Sequence, residues 1–332
     1  MGGKWRKYRA LVSILVAFLS AASLAGGQGL RPSDVPSTRS EPGSYGDLPL
    51  DPERRVELEK AVGSRDFARA ENLLLQEVGK NPKSPALLAT LGGIFFLDGH
   101  YLQCAIALKK AEALSPLDDR NRFTLALAYI TLNHGNWARP ELEKLAQANA
   151  QNPLYTYWLG RLDYDDMRFE AAITRFRKVL ELDPRFMKGY DNLGLCYEAL
   201  GRSEEAIHTY QAALRLNRDQ PSPSPWPPLN LGTLLVKLGR LDEGKTALEE
   251  VLRYEPQFPR AHYQMGLLLE KEGKDSAAIE ELKLAAKYDP TFPDPYYSLG
   301  RIYQRSGDKQ SADAAFTTFQ KLKKEKPTDS SN

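Results

Sequence analysis

The sequence predicts an all-α fold built as a stack of about eight helical hairpins, and three observations carry that prediction. Small residues recur at a fixed period: Gly92, Ala126, Gly160 and Gly194 fall 34 apart, as do Gly232, Gly266 and Gly300, with one step of 38 between the two sets. Around each of them the apolar residues are spaced by three and four, the signature of one helix face. A turn such as Gly201-Arg202, Gly239-Arg240 or Gly273-Lys274 then splits each unit into two short helices. With 332 residues, 42% hydrophobic and 27% charged, the chain has the composition of a folded protein.

Residues 1–25 carry Lys4, Arg6, Lys7 and Arg9 without an acid, then an apolar run from Ala10 to Ala25. Small residues at Ser23 and Ala25 complete the pattern of a signal peptide cleaved after Ala25, which implies an exported protein, periplasmic or secreted. The alternative is a retained membrane anchor, because the stretch from Ala10 to Leu30 is uncharged and long enough to span a bilayer. Residues 26–50, broken by Pro32, Pro36, Pro42 and Pro49, read as a flexible linker.

The repeated body covers residues 51–326. A degenerate first unit, residues 51–84, keeps Phe67, Ala70, Leu74 and Pro82. In the third unit Asn133 stands where the turn Gly belongs, and Pro140 enters the second helix, tolerable there only within the first helical turn. Four extra residues fall in a proline-rich joint at 219–228, between the fifth and sixth units, expected to be stiff and extended. A structural joint is favoured there over a ligand contact through Trp226. Residues 327–332 read as a disordered tail.

Physics accounts for the residue types. Helices that cross closely need small side chains where their backbones meet, which suits Gly160, Gly194 and Ala172. Tyr197, Phe176, Tyr210 and Phe316 fill the space between neighbours. One hairpin cannot bury its apolar stripe alone, whereas a stack of hairpins does so.

Tyr190, Leu193, Gly194, Tyr197 and Ala206 follow the W-x2-L-G-x2-Y and A-x3-F pattern, and units close at prolines such as Pro184 and Pro256. On these residues, repeated in phase, the chain resembles the tetratricopeptide repeat family. The resemblance implies a right-handed superhelical solenoid whose concave groove, lined by the first helix of every hairpin, holds a peptide or partner segment. Helical phase places Tyr190, Leu193, Gly194 and Tyr197 on the packed side and leaves the opposite side to that groove. Carried through the units, the candidate partner-binding residues are Phe123, Leu127, Tyr157, Trp158, Arg161, Lys188, Asn192, Asn230, Lys237, Tyr263, Gln264, Lys271, Tyr297 and Arg301. Tyr157 and Trp158 are the candidate aromatic anchors, while Arg161, Lys237, Lys271 and Arg301 would steer acidic stretches. The Lys and Asn clamp with which some relatives hold a C-terminal carboxylate is not reproduced, because Tyr157, Phe123 and Asp191 occupy its places.

Other chemistries are weaker. Lys and Arg total 45 against 43 Asp and Glu, so no broad basic face argues for nucleic acid. Residues 239–246 match the letters of a phosphate-binding P-loop, yet the repeat already accounts for Gly239 as a turn and Gly244 as a small crossing residue. His100, His134, His208 and His262 are too dispersed for a zinc helix, so no metal site or other cofactor is expected. Cys104 and Cys196 are too far apart along the stack for a disulfide. Asp163, Asp165 and Asp166 read as a solvated helix end rather than a calcium loop. No nucleophile and base pair is apparent, and neither an enzyme nor a small-molecule substrate is expected.

Overall fold

The computed structural model of the protein describes residues 45–325. The export segment, most of the linker and the tail therefore lie outside the described residues. Within them are sixteen α-helices and no strand, alternating as first and second helices of eight hairpins. The first four pairs are α1 (Pro52–Gly63) with α2 (Phe67–Lys80), α3 (Pro85–Leu97) with α4 (Tyr101–Glu112), α5 (Asp119–Thr131) with α6 (Gly135–Ala148), and α7 (Pro153–Asp165) with α8 (Phe169–Leu182). The last four are α9 (Met187–Ala199) with α10 (Ser203–Arg218), α11 (Trp226–Lys237) with α12 (Leu241–Tyr254), α13 (Pro259–Lys271) with α14 (Asp275–Tyr288), and α15 (Pro293–Ser306) with α16 (Lys309–Glu325).

Two compact units emerge, residues 45–189 and 190–325, with the division falling inside α9. In the first unit α1 to α8 pack each on the next, and the first helices α3 and α5 also touch. Its N-terminal core joins Leu58, Leu74, Leu87 and Leu91. In the second unit α10 to α16 pack in the same serial way, with α11 against α13 and α13 against α15. Its core includes Leu229, Leu248, Val251 and Leu268, continued by Leu282, Leu299 and Ile302.

Local chemistry fixes the hairpins. Asp66, Ser84 and Asp118 each accept a backbone N–H three residues on, satisfying donors that a helix start leaves unpaired. Pro85, Pro153, Pro259 and Pro293 occupy the first helical position, where no N–H is needed. Every hairpin turn passes through positive φ, at Arg65, Gly99, Asn133, Met167, Gly201, Gly239, Gly273 and Gly307. These eight positions follow the sequence period, including its one longer step. Asn133 thus does the work of the missing glycine, as its side chain permits. At the crossings, a Cβ on Gly92, Gly160, Gly232, Gly266 or Gly300 would stand 2.6–2.9 Å from Leu108, Phe176, Leu248, Leu282 or Phe316. Residues 239–246 are the α11–α12 turn and the start of α12, with a helix rather than a strand before them.

Four expectations need correction. The end of the linker is not loose, since Leu48 and Leu50 are buried in the same core as Leu58 and Leu87, with Tyr45 packed against it. Apolar side chains so close to the first helix extend the apolar core of the first hairpin. Pro140 lies in the second turn of α6, not the first, because that helix begins at Gly135. Both Pro140 and Asn136, whose carbonyl the proline leaves without its helical donor, are exposed residues. The proline-rich joint ends at Pro225: Trp226, Pro227 and Pro228 form the first turn of α11. Part of the insertion also lengthens α10 to 16 residues, against 14 for α12 and α14. Buried Asn217 pins the joint through Nδ2 donating to the Ser224 carbonyl (2.8 Å) and Oδ1 accepting from the Ser224 N–H (2.7 Å). The fourth correction concerns Asp163, which is not solvated. It is 2% exposed and takes Arg139, Arg168 and Arg175 at 2.9, 2.7 and 2.6 Å, so three cations replace its hydration.

Candidate partner-binding surface

In the first unit the sequence-predicted anchors serve the interior. Phe123 and Leu127 on α5 are buried, with Phe123 edge-on to Tyr155 at 5.3 Å. Tyr157 and Trp158 on α7 are each 3% exposed; Tyr157 lies 5.1 Å from Phe186 and 5.9 Å from Phe176. Arg161 is nearly buried too, its guanidinium 6.0 Å from the Trp158 ring. These residues hold the hairpins together and are corrected as open partner contacts, because helix phase alone does not register how far a neighbouring first helix covers a side chain. Lys188 stays partly exposed on α9. A trough of about 430 Å³ opens elsewhere in this unit, floored by the small residues Ala86, Ala89 and Gly93 of α3 and edged by Tyr45 and Leu48.

The second unit is different. Asn192 is buried, and Asn230 donates from Nδ2 to Asp191 at 2.9 Å, a polar tie between α9 and α11. Tyr263 is half-buried, edge-on to Phe292 at 5.2 Å. Burial pushes its phenol above the ordinary value, with Asp294 adding to the effect. Tyr297 is exposed and lies 5.2 Å from Phe319.

Four other predicted residues meet in one place. Lys237, Gln264, Lys271 and Arg301 line a cleft of about 460 Å³ across α11, α13 and α15. Val236 and Leu267 supply apolar wall, and Glu270 and Arg305 complete the charged lining. The helical repeat brings these residues together, since each comes from the same side of successive first helices. Lys237 is 67% exposed at its side chain and stands 3.6 Å from Glu198. The Lys271 Nζ donates to the Val236 carbonyl at 2.7 Å. Arg301 and Arg305 both reach Glu270 Oε1, at 3.2 and 3.1 Å, and Arg305 also pairs with Asp275 at 2.8 Å. Sequence reasoning missed Glu270 and Arg305, although helix phase alone places Glu270 beside Lys271 and Arg305 one turn beyond Arg301. The cleft thus sets four cations and an apolar wall around one carboxylate, a lining whose chemistry complements negative charge attached to an aliphatic chain.

Among the described residues, Glu71, Asp98 and His100 bring three ligand-type atoms within 4.8 Å of one another. The His100 Nδ1 is already 2.8 Å from Glu71 Oε1, the geometry of a hydrogen-bonded turn. The Cys104 thiol is buried and pushed up to about 12 by desolvation, which keeps it protonated and unreactive. No helix of the described residues is long and apolar enough to cross a membrane.

Comparison with known proteins bears on the repeats directly. Residues 159–221 and 229–294 match one family model of the tetratricopeptide repeat, and residues 293–326 match a second. The chain is 27% identical over 198 residues to the TPR repeat-containing protein YpiA of Bacillus subtilis, covering 59% of this chain and 45% of that protein. It is 26% identical over 169 residues to the type IV pilus assembly protein PilF of Pseudomonas aeruginosa, covering 50% of this chain and 65% of that one. The chain thus spans less than two thirds of the length of these curated relatives. Among solved structures, a tetratricopeptide repeat protein from Parabacteroides merdae shares the fold at a TM-score of 0.61 and 17% identity, over 82% of this chain and 99% of that one.

Proposed function

Since this chain is a tetratricopeptide repeat protein, we propose that it is a non-catalytic protein–protein interaction scaffold that binds a peptide or partner segment along the first helices of its second unit. The observation that carries this reading is the convergence of Lys237, Gln264, Lys271 and Arg301 on one cleft. Its donors and apolar wall suit recognition of a chain segment, with charge steering the encounter and side-chain burial setting the lifetime. Tyr263 and Tyr297, on α13 and α15, serve as accessory contacts.

A second reading, an assembly factor or accessory subunit of an envelope complex, is favoured by the likeness to a pilus assembly protein. It differs in what becomes of residues 1–25, which the sequence reads as an export signal or an anchor. Sequencing the N-terminus of the mature protein separates release from tethering: a start at Gly26 supports an exported form, an intact Met1 a tethered one.

Affinity capture from envelope extract tests the binding surface. Charge reversal at Lys237→Glu and Lys271→Glu together should remove the captured partner while circular dichroism stays that of the wild type. Capture unchanged by the double reversal would place binding elsewhere.

A further inference from the structure

Glu270 stands in the cleft as the one carboxylate among its lining residues, and its side chain is only 10% exposed. Both guanidiniums that reach it come from α15, and both meet the same oxygen, Oε1. Each guanidinium has five donors, and Arg301 and Arg305 remain about half exposed, 48% and 49%. Beside it, the Lys271 ammonium donates to the Val236 carbonyl, and among the described residues it has no carboxylate partner. The cleft is therefore an anion site that the protein fills with its own side chain.

We propose that Glu270 is an internal competitor: it occupies in the free protein the position that a carboxylate of an acidic partner segment takes on binding, and so sets the affinity of the cleft. The inference rests on the reading of this cleft as the binding surface. Neighbouring first helices lie about 8–10 Å apart, and a segment in the polyproline II conformation advances about 3.1 Å per residue with three residues per turn, so residues three apart share one face. A segment with acidic residues three apart then sets one carboxylate near Lys271 and the next against Arg301 and Arg305. The aliphatic residue between them faces Val236 and Leu267. Binding displaces Glu270 from Oε1 contact with α15, and the guanidiniums exchange one anion for another. A purely structural Glu270 would instead tie α13 to α15 and leave ligand affinity untouched.

Two labelled peptides of about twelve residues, one a Glu-Leu-Ala repeat and the other its Gln-Leu-Ala counterpart, separate these roles by fluorescence anisotropy on the full chain. Glu270→Gln keeps the size of the side chain and removes the competing charge. The expected result is about three- to ten-fold tighter binding of the Glu peptide by Glu270→Gln, the range set by relieving two partly exposed ion pairs, with the Gln peptide unaffected. Lys271→Ala should weaken the Glu peptide in an otherwise wild-type chain, which keeps the test independent of how Glu270→Gln folds. The proposal is overturned by unchanged or weaker Glu-peptide binding in a Glu270→Gln protein that melts like the wild type, by indifference to Lys271→Ala, or by no binding of the Glu peptide to either protein. If charge reversal at Lys237 and Lys271 abolishes partner capture while Glu270→Gln changes nothing, the competitor fails and the binding surface stands. If capture ignores the reversal, the surface itself is wrong.

Discussion

His262 lies between two acceptors. Its Nδ1 is 2.7 Å from Glu281 Oε2 and its Nε2 is 2.9 Å from the Pro256 carbonyl, with the Tyr288 ring 5.3 Å away. Only the imidazolium donates at both nitrogens. Burial pushes the pKa down, but Glu281 and the Pro256 carbonyl outweigh it, and the net shift is upward. A group whose folded pKa is raised contributes stability in full below its unfolded value, about 6.5, and loses it as pH rises through the folded value. The urea midpoint should therefore fall as pH rises from about 6 to 8, and His262→Gln should flatten that step. A wild-type midpoint that is level across the range would contradict the clamp. Nothing in the sequence around His262 announces it, since Glu281 comes from another helix. The same is true of Asp163, whose three arginines are contributed from outside its own helix and keep that one carboxylate buried while Asp165 and Asp166 stay exposed at the end of α7.

At the scale of the helix, spacing foretold the elements well and their edges less well. The positive-φ turn at Asn133 falls where the repeat calls for glycine, because backbone geometry is imposed by the hairpin and Asn tolerates it. Pro140 departs from expectation because α6 starts at Gly135, earlier than its proline suggested. Its missing donor is a cost, and the exposed ring buries little surface in return. Pro140→Ala should raise stability by about 1–3 kcal/mol, read as a higher midpoint in chemical denaturation. A lower midpoint would mean that the proline fixes the α5–α6 turn. Phe123, Tyr157 and Trp158 show where helical phase stops being informative. Phase assigns them a side of their helix; how much of that side a neighbour covers depends on side-chain size in the adjacent hairpin, and α5 and α7 carry large residues there.

Across the molecule, eight hairpins in phase were legible because a 34-residue period is a property of the chain itself. Each hairpin meets mainly its chain neighbours, so local pattern carries most of the fold. The cleft was half legible. Lys237, Gln264, Lys271 and Arg301 follow from phase and line one cleft, while the pairing of Glu270 with two arginines of α15 is a tertiary contact that no local pattern encodes. A photo-crosslinking residue at Gln264, compared with the same residue at exposed Glu249 on α12, interrogates recognition by the second unit most directly. Crosslinks to the captured partner should form at 264 and not at 249; crosslinks at 249 with none at 264 would move recognition to the second helices.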